Sequence, residues 1–420
     1  MTDASWIGAT LTAARPQAVS ALMRYFRDLD LAEEAFQDAS LRALKAWPKN
    51  GPPRNPAAWL ILVGRNAALD GVRRRSRQQE LPDEAEISDL DDAEDAMAAR
   101  LDEGHYRDDV LRLLFICCHP DLPATQQVAL ALRIVSGLSV AQIAQAFLVS
   151  DAAMEQRITR AKARVGKSDA AFETPGPADR AERLAAVAAM LYLVFNEGYS
   201  RPGDQGEARD RLCGEAIRLA RLLLKLFPSE PEILGLAALM LLQHSRADAR
   251  FDADGAIILL DNQDRSLWNR ELIAEALALV DKAMRHRRPG PYQVQAAIAA
   301  LHARAARPQD TDWEQIEQLY AALERMEPSP VITLNRAVAV SKRAGPQAAL
   351  EIIEPLAERL DGYFYFWGVK GAFLMELGRG EEARKAFERA IGLANSAAEA
   401  AHIRAQLDRL AFDARDTARK

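Results

Sequence analysis

Helical periodicity without strand-like alternation is the feature that most constrains the fold of this chain. Alanine, leucine, arginine and glutamate dominate the sequence, whereas valine and isoleucine seldom alternate with polar residues. Glycine or proline interrupts the pattern at intervals of roughly helix length, which is typical of helices that end at turns. Because the alternation expected of half-buried strands is not convincing anywhere, we predict an all-α fold.

The length and the apolar content indicate several domains. The chain has 420 residues, of which 49% are hydrophobic, and this is enough for two or three ordinary domains. The longest apolar run, Leu184 to Phe195, is too short to cross a hydrocarbon core of roughly 30 Å, and the amino terminus lacks a signal segment. Cys117, Cys118 and Cys213 cannot form a disulfide framework. We therefore expect a cytoplasmic protein that does not contact a membrane.

The charges are segregated along the chain. The formal net charge of -6 argues against a protein that coats nucleic acid by itself, so any nucleic-acid role must be local. An arginine-rich stretch is followed directly by an acidic one. The arginines are Arg65, Arg73, Arg74, Arg75 and Arg77, and the acidic residues are Asp83, Glu84, Glu86, Asp89, Asp91, Asp92, Glu94 and Asp95. Such a block of like charge predicts a solvated linker.

The acidic stretch and the boundary sequence "KSDAAFETPGPADR" interrupt the helical pattern, and together with the repeat near the end of the chain they predict five segments. The segments are a helical block at 5–79, an acidic linker at 80–104, a second helical block at 105–168, a helical connecting domain at 178–290 and a repeat array at 291–412.

The array contains a repeat near its end. A shift of about 34 residues places Ala337 on Gly371 and Ile353 on Phe387. The same shift places Val338 on Ala372 and Ala349 on Ala383. In a tetratricopeptide helix pair, small residues let two helices approach and large ones fill the groove. We therefore predict a tetratricopeptide-like array whose concave surface could hold a protein or peptide partner.

The second helical block ends in "VALALRIVSGLSVAQIAQAFLVSDAAMEQRITRAKARV", which has helix-turn-helix spacing. A short helix from Val140 to Phe147 precedes a turn, and Ser150 can cap the following helix. The inward positions of this second helix are Met154, Ile158, Ala161 and Val165, and the outward ones are Gln156, Arg157, Thr159, Arg160, Lys162 and Arg164. The outward face suits base edges and phosphates, but an ordinary helical hairpin with a solvated basic face remains open.

The stretch "AAWLILVGRNAALDGVRRRSR" changes from core to cation within one helix. Trp59, Leu60 and Val63 share one stripe and are expected in the core, whereas Arg65 and Asn66 lie toward the basic end. This arrangement anchors a helix at one end and allows contact with phosphate at the other. The alternative is a solvated arginine-rich helix end.

Taken together, the two blocks resemble a known family. "LAEEAFQDASLRALKAW", "NPAAWLILVGRNAALDGVRRRSR" and the helix-turn-helix, in this order, resemble the two conserved regions of extracytoplasmic-function sigma factors of the sigma-70 family. "FICCHPDLP", "LVFNEGYS" and "DNQDRSLWNREL" resemble the subgroup with a tetratricopeptide-like carboxyl-terminal extension. The resemblance implies a non-enzymatic promoter-specificity subunit of RNA polymerase that uses no cofactor or metal, with an extension required for activity.

The resemblance also implies roles for individual residues. Docking on core RNA polymerase falls to Glu33, Glu34, Gln37 and Asp38. The promoter -10 element is assigned to the segment 51–56 with Arg65, Asn66, Asp70, Arg73, Arg74, Arg75 and Arg77. The -35 element is assigned to Ser150, Gln156, Arg157, Arg160 and Lys162. Ala153 and Glu155 stand where many members have threonine and lysine, so the -35 sequence cannot be inferred from relatives.

Four other groups of residues have competing interpretations. Cys117, Cys118 and His119 lack the spacing of a zinc site and favour buried packing. Asn196, Glu197 and Tyr199 fit either a structural corner or a signal-sensing pocket. Asp264, Arg265, Ser266 and Trp268 predict a helix start with an internal ion pair. Trp313, Phe364, Phe366 and Trp367 favour groove-filling core over a peptide-binding surface.

Three other functions compete with the sigma-factor interpretation. A stand-alone helix-turn-helix regulator with a tetratricopeptide-like sensor would bind duplex DNA without polymerase. A pure scaffold would leave the arginine cluster and the helix-turn-helix without a role. An enzyme is the weakest alternative, because the sequence offers no phosphate-binding glycine loop, metal-ligand set or nucleophile–base pair.

Overall fold

The computed structural model describes residues 5–76, 103–147, 149–166, 177–199, 206–252, 256–394 and 396–417. Over these residues the regular structure is helical, apart from one isolated antiparallel bridge between Phe251 and Ile257, so the predicted all-α fold is confirmed. The chain forms two compact units, one ending at Val194 and the other beginning at Phe195. Arg77 and most of the predicted acidic linker lie outside the described residues.

The first unit contains two groups of helices. The three-helix module consists of α1 (Ser5–Phe26), α2 (Leu29–Asn50) and α3 (Pro56–Ser76). The helix-turn-helix module consists of α4 (Glu103–Cys117), α5 (Ala124–Ile134), α6 (Val140–Ala146) and α7 (Asp151–Val165). The next helix, α8 (Pro177–Tyr199), contains the boundary residue of the two units.

Each pair of helices in the three-helix module is in contact. Asp28 starts α2 by accepting a hydrogen bond from the backbone N–H of Leu31 at 3.0 Å. Gly64 of α3 lies against α2 so closely that a Cβ atom there would be 2.8 Å from the carbonyl oxygen of Ala35. Trp47 is 2% exposed and contacts two further tryptophan rings at one end of the module. These contacts fix the direction in which α2 and α3 present their outer faces.

Both helices of the helix-turn-helix, α6 and α7, begin with a serine cap. Ser139 and Gln142 form a reciprocal capping box at the start of α6. The turn before it contains Gly137 at φ +74°, a left-handed conformation that favours glycine. Helix α7 packs against both α5 and α6, so its orientation is set by the rest of the module.

The second unit contains a further series of α-helices. They are α9 (Gly206–Leu226), α10 (Pro231–His244), α11 (Arg270–Arg285), α12 (Pro291–Arg304), α13 (Trp313–Met326), α14 (Pro330–Ala344), α15 (Pro346–Ile353), α16 (Phe364–Glu376), α17 (Gly380–Leu393) and α18 (Ala397–Thr417). None of the helices in the described part of the chain has both the length and the apolar character needed to cross a bilayer.

Two successive helix pairs, α14–α15 and α16–α17, share one hydrophobic cluster. The positions that the sequence repeat aligns as small residues, Ala337 and Gly371, are both buried. The aligned large residues, Ile353 and Phe387, are 0% and 1% exposed. The repeat in the sequence therefore corresponds to equivalent packing positions in neighbouring helix pairs.

Candidate nucleic-acid and polymerase interface

Helix α7 has one buried face and one exposed face, as the sequence predicts. Its inward side chains, Met154, Ile158, Ala161 and Val165, are all buried. On the opposite side Gln156 and Arg160 are exposed and Arg157 is half-buried. Because the buried stripe anchors the helix in its module, these outward side chains project from a fixed scaffold.

Ser150 caps the start of α7. Its hydroxyl oxygen accepts a hydrogen bond from the backbone N–H of Ala153 at 3.3 Å, which satisfies one of the free donors of the first turn. The hydroxyl proton remains a potential donor, and the helix start carries partial positive charge that favours anions. Capping and phosphate binding are therefore compatible at this residue.

Lys162 lies near the carboxyl-terminal end of α7 but is only half-exposed. Its ammonium group is 2.6 Å from Oδ1 of Asp30 and 2.7 Å from Oε2 of Glu33. Burial lowers the pKa of Lys162, but the hydrogen bonds to Asp30 and Glu33 outweigh this effect and leave the pKa above its usual value. In this arrangement the side chain that the family resemblance assigns to promoter DNA is bound to two carboxylates of the three-helix module.

Glu33 is buried, whereas the docking on polymerase that the resemblance implies requires a side chain at the surface. The residue is 4% exposed, and its Oε1 lies 3.0 Å from Nη2 of Arg15 and 3.6 Å from Nε of Arg133. An unpaired carboxylate would be costly in such a site, and the three cations around it offset that cost. Direct docking of Glu33 on polymerase stays a prediction that requires these partners to be released.

The outer face of α2 combines polar and apolar residues. Glu34, Gln37 and Asp38 are exposed on it. Leu41 is 58% exposed and Leu44 is 47% exposed. Adjacent exposed apolar side chains in a polar surround are typical of a protein-binding surface. Sequence reasoning missed both leucines, because a leucine at helical spacing is ordinarily assigned to the core.

The buried residues of helix α3 agree with the predicted core stripe. Leu60 and Val63 are buried and Trp59 is half-buried. The guanidinium of Arg65 lies 4.6 Å from the ring centroid of Tyr25, while Asn66 is exposed. The backbone of α3 continues through Asp70, Arg73, Arg74 and Arg75, whose side chains lie outside the described part of the structure.

The segment assigned with α3 to the -10 element connects α2 to α3. Gly51 ends α2 at φ +79°, and Asn55 caps α3 by accepting a hydrogen bond from the backbone N–H of Ala58 at 3.0 Å. The segment therefore has a defined start and end beside the basic helix.

The cysteines form part of the core, as the sequence favoured. Cys117 and Cys118 end α4 and are 0% and 2% exposed. Burial raises the pKa of both thiols well above the ordinary range. Cys213 is also buried, and the loss of solvent raises the pKa of its thiol to about 12. Neutral buried thiols of this kind are poor nucleophiles and poor metal ligands.

Two motifs of the second unit have structural partners that the sequence did not indicate. The hydroxyl of Tyr199 accepts a hydrogen bond from Arg246 at 2.8 Å, and its carbonyl accepts one from Arg250 at 2.6 Å. Arg265 does not form the predicted internal ion pair. It instead donates to the carbonyl oxygens of His302 and Ala305 at the end of α12, since these helix-end carbonyls need a donor.

The amino-acid sequence matches three families. Residues 11–78 match Sigma-70 region 2 and residues 112–165 match Sigma-70 region 4. Residues 183–284 match a family of unknown function, DUF6596. The first two matches coincide with the three-helix module and the helix-turn-helix module, in the order expected of a transcription initiation factor.

An uncharacterized protein from Rhizobium meliloti (strain 1021) is 69% identical over 414 residues, which is 98% of each chain. No solved structure matches the chain. Together, the region 2 and region 4 matches support a sigma factor of the sigma-70 family.

Proposed function

We propose that this sigma factor is of the extracytoplasmic-function type, with the three-helix module at the -10 element and the helix-turn-helix module at the -35 element. The observation that carries the proposal is the outward face of α7. It presents Gln156 and Arg160 from a helix that is anchored by a buried stripe, inside the region 4 match. A glutamine can read an adenine edge, and an arginine can read a guanine edge or bind a phosphate. Arg157 and Ser150 extend the same surface toward the helix start.

The basic end of α3 is the second half of the promoter contact. Arg73, Arg74, Arg75 and Arg77 follow the exposed Asn66 along this helix and just beyond it. Opening the duplex costs a few kcal/mol of lost pairing and stacking per extruded base. Cationic side chains offset that cost by attracting the displaced single strand.

The outer face of α2, formed by Glu34, Gln37, Asp38, Leu41 and Leu44, is the proposed docking surface for core RNA polymerase. Its leucines supply apolar area and its polar residues supply orientation. Binding to polymerase provides much of the total free energy, which explains how a chain with net charge -6 can act on DNA. The site of action is therefore the cytoplasm, where the polymerase works.

The second unit would regulate or complete initiation through a protein or peptide partner. The equivalent buried positions of α14–α15 and α16–α17 support a tetratricopeptide-like packing of helix pairs. Stacked helix pairs of this kind present extended surfaces that bind other chains. Deletion of residues 175–420 should alter promoter output, and unchanged output would refute a regulatory role for this part of the chain.

Run-off transcription with purified core polymerase tests the proposal. The template is the promoter upstream of the chain's own or neighbouring genes. Transcripts should depend on the addition of the full chain. Tight binding to duplex DNA with no requirement for polymerase would instead select a stand-alone helix-turn-helix regulator.

The variant Arg73→Ala with Arg74→Ala separates melting from docking. We expect it to lower open-complex formation, read as permanganate reactivity of unpaired thymines, while polymerase binding stays nearly unchanged. Lys282→Ala with Arg285→Ala removes two exposed cations from α11 in the second unit and serves as the matched charge control. Loss of polymerase binding in the arginine variant would show that the surface is assigned to the wrong partner.

A further inference from the structure

The second unit contains a group of arginines without carboxylate partners. Arg246 and Arg250 follow α10, and Arg265 lies in the segment before α11. None of them forms an ion pair among the residues that the structure describes. All of them fall within residues 183–284, which match the family of unknown function. Arginines with little exposed surface are ordinarily paired with anionic groups, so these unpaired cations point to a ligand.

Arg246 and Arg250 are both held by Tyr199, the last residue of α8. Nη2 of Arg246 donates to the hydroxyl oxygen of Tyr199 at 2.8 Å, and Nη1 of Arg250 donates to its carbonyl oxygen at 2.6 Å. The guanidinium of Arg250 also lies 3.5 Å from the centroid of the Tyr199 ring and 5.0 Å from that of Phe251. Stacking and a hydrogen bond therefore orient Arg250, and a hydrogen bond orients Arg246. We refer to Tyr199, Arg246 and Arg250 as the arginine corner.

The arginine corner offers mainly hydrogen-bond donors. A guanidinium has several N–H donors, and each of these arginines uses only part of them in its contact with Tyr199. The hydroxyl oxygen of Tyr199 accepts the bond from Arg246, so the hydroxyl proton stays available for donation. All members of the corner are half-buried and keep part of their surface exposed to solvent. A group of reachable donors with positive charge is complementary to an anionic oxygen acceptor.

Arg265 adds a buried positive charge beside the arginine corner. The short helical turns at 247–249 and 265–267 contact each other, which brings Arg265 near Arg246. Arg265 is 7% exposed, and its Nη1 donates to carbonyl oxygens at the end of α12. Its Nε and Nη2 are buried and have no acceptor in the described part of the chain. Burying a cation without an anion costs free energy, so the region carries an excess of positive charge.

The pKa values of neighbouring groups reflect this excess of positive charge. Burial lowers the pKa of Arg250, and the charge of Arg246 lowers it further. The groups that raise the pKa of Arg250 are tyrosines and a thiol, and such groups are neutral at pH 7. Burial, with the charges of Arg246 and Arg265, also lowers the pKa of His302 to about 4. An anion bound at the arginine corner would offset the repulsion between these cations.

We propose that the arginine corner is a binding site for an oxyanion, namely the phosphate or carboxylate group of a ligand. The geometry of these groups matches the guanidinium fork. Such a group can belong to a free small molecule or to an acidic segment of a protein. Tyr365 of α16 is 48% exposed and close enough to affect the pKa of Arg250, so it offers an aromatic contact to the larger ligand. The site gives the regulatory role of the second unit a class of ligand, and only that assignment rests on the proposed function.

Hydrogen exchange of the full-length chain tests for anion binding. The probes are sodium phosphate and sodium succinate, each compared with sodium chloride at equal ionic strength so that general screening is the same. A ligand that binds the folded arginine corner slows the exchange of residues 195–199 and 245–252, and the concentration dependence gives the dissociation constant. We expect both anions to slow exchange at these residues and to leave α17 unchanged.

Arg246→Gln with Arg250→Gln should raise this dissociation constant at least about tenfold, because charge-assisted hydrogen bonds to the anion are lost. Lys282→Gln with Arg285→Gln removes the same charge from an exposed part of α11 and should leave the constant unchanged. Arg250→Lys keeps the charge but loses the planar fork, so it should weaken binding by a smaller factor. It keeps the test decisive if the glutamine variant fails to fold, as judged by circular dichroism. Equal exchange of the native chain in all the salts, or equal slowing in the native chain and the arginine variants, would overturn the proposal.

A blocked peptide of alternating glutamate and leucine residues distinguishes the sources of the oxyanion. For a protein segment, the peptide should bind at least about tenfold more tightly than succinate, because it adds apolar contacts. Tyr365→Ala should then weaken binding of the peptide but not of phosphate. For a small molecule, the peptide should bind no more tightly than succinate, and Tyr365→Ala should have no effect. Both results support the site and assign its ligand.

Run-off transcription separates failure of this site from failure of the proposed function. If transcription depends on the chain while neither phosphate nor succinate slows exchange at the arginine corner, the site is wrong and the function stands. If the anions bind as expected and the arginine variants lose them, but no transcript depends on the chain, the proposed function is wrong and the site is established.

Discussion

Gly371 of α16 lies directly beneath the ring of Phe387 of α17, so closely that a Cβ atom at position 371 would be 2.5 Å from Cε1 of that ring. Phe387 is 1% exposed and cannot easily move away. Gly371→Ala should therefore destabilise the second unit by about 1–2 kcal/mol, because overpacking outweighs the gain in helix propensity. Urea unfolding, with hydrogen exchange of α16 and α17 as the local probe, measures the loss.

Gly214→Ala is the control, for which we expect the free energy of unfolding to change in the opposite direction. Gly214 is exposed within α9, and nothing lies within 4 Å of the position its Cβ would take. The same substitution should there stabilise the helix by roughly 0.5–1 kcal/mol. Equal effects at the two positions would contradict the tight helix approach at Gly371.

The exposed leucines of α2 allow the docking surface to be tested without loss of the fold. Leu41→Ala should weaken binding to core polymerase by roughly 5- to 30-fold, which corresponds to about 1–2 kcal/mol of buried apolar surface. The free energy of unfolding should stay nearly unchanged, because Leu41 is 58% exposed in the free chain. Titration of labelled polymerase gives the dissociation constant. Leu259→Ala, at an exposed leucine of the second unit, should leave it unchanged.

Glu33 and Glu34 show how far the sequence could predict the candidate site. The two glutamates are neighbours and look equivalent in the sequence, yet Glu33 is buried among cations and Glu34 is exposed. Local periodicity predicts the helices and the buried stripe of α7, because the spacing of apolar residues within a few positions is enough to define them. The partner Lys162 is 129 residues away from Glu33, and no local pattern indicates which module surfaces meet. Arg265 illustrates the same limit, since its acceptors are the carbonyls of a distant helix end.

Ser150 offers a way to separate capping from DNA contact. Ser150→Ala should lose about 1 kcal/mol of stability in the helix-turn-helix module and weaken promoter binding as well, because the cap is lost. Ser150→Asp keeps a capping oxygen but places a negative charge where a phosphate is proposed. It should keep the stability and still lower promoter-dependent transcription. Normal transcription in Ser150→Asp would remove this residue from the proposed phosphate contact.

The three cysteines should be inert in the native chain. Their burial raises the pKa of each thiol, so at pH 8 the reactive thiolate is scarce and shielded from reagents. Ellman's reagent should detect almost no thiol in the native protein and all three after addition of urea. Rapid reaction of one thiol in the native state would mean that its helix opens easily.

His302 should make the second unit less stable in mild acid. Burial, followed by the charges of Arg246 and Arg265, lowers the pKa of its imidazole from 6.5 to about 4 in the folded chain. Between these two values the unfolded chain binds a proton that the folded chain does not, so stability falls as the pH decreases from about 6.5 to 4. The half-buried position limits the loss to about 1–2 kcal/mol.

His302→Gln cannot titrate and should remove this part of the pH dependence. The measurement is urea unfolding at pH 7.5 and pH 4.5, with hydrogen exchange of α12 and α13 as the local probe. The difference in the free energy of unfolding between the native chain and His302→Gln should be smaller at pH 4.5 than at pH 7.5. An equal difference at both pH values would mean that His302 binds a proton in the folded chain as readily as in the unfolded chain.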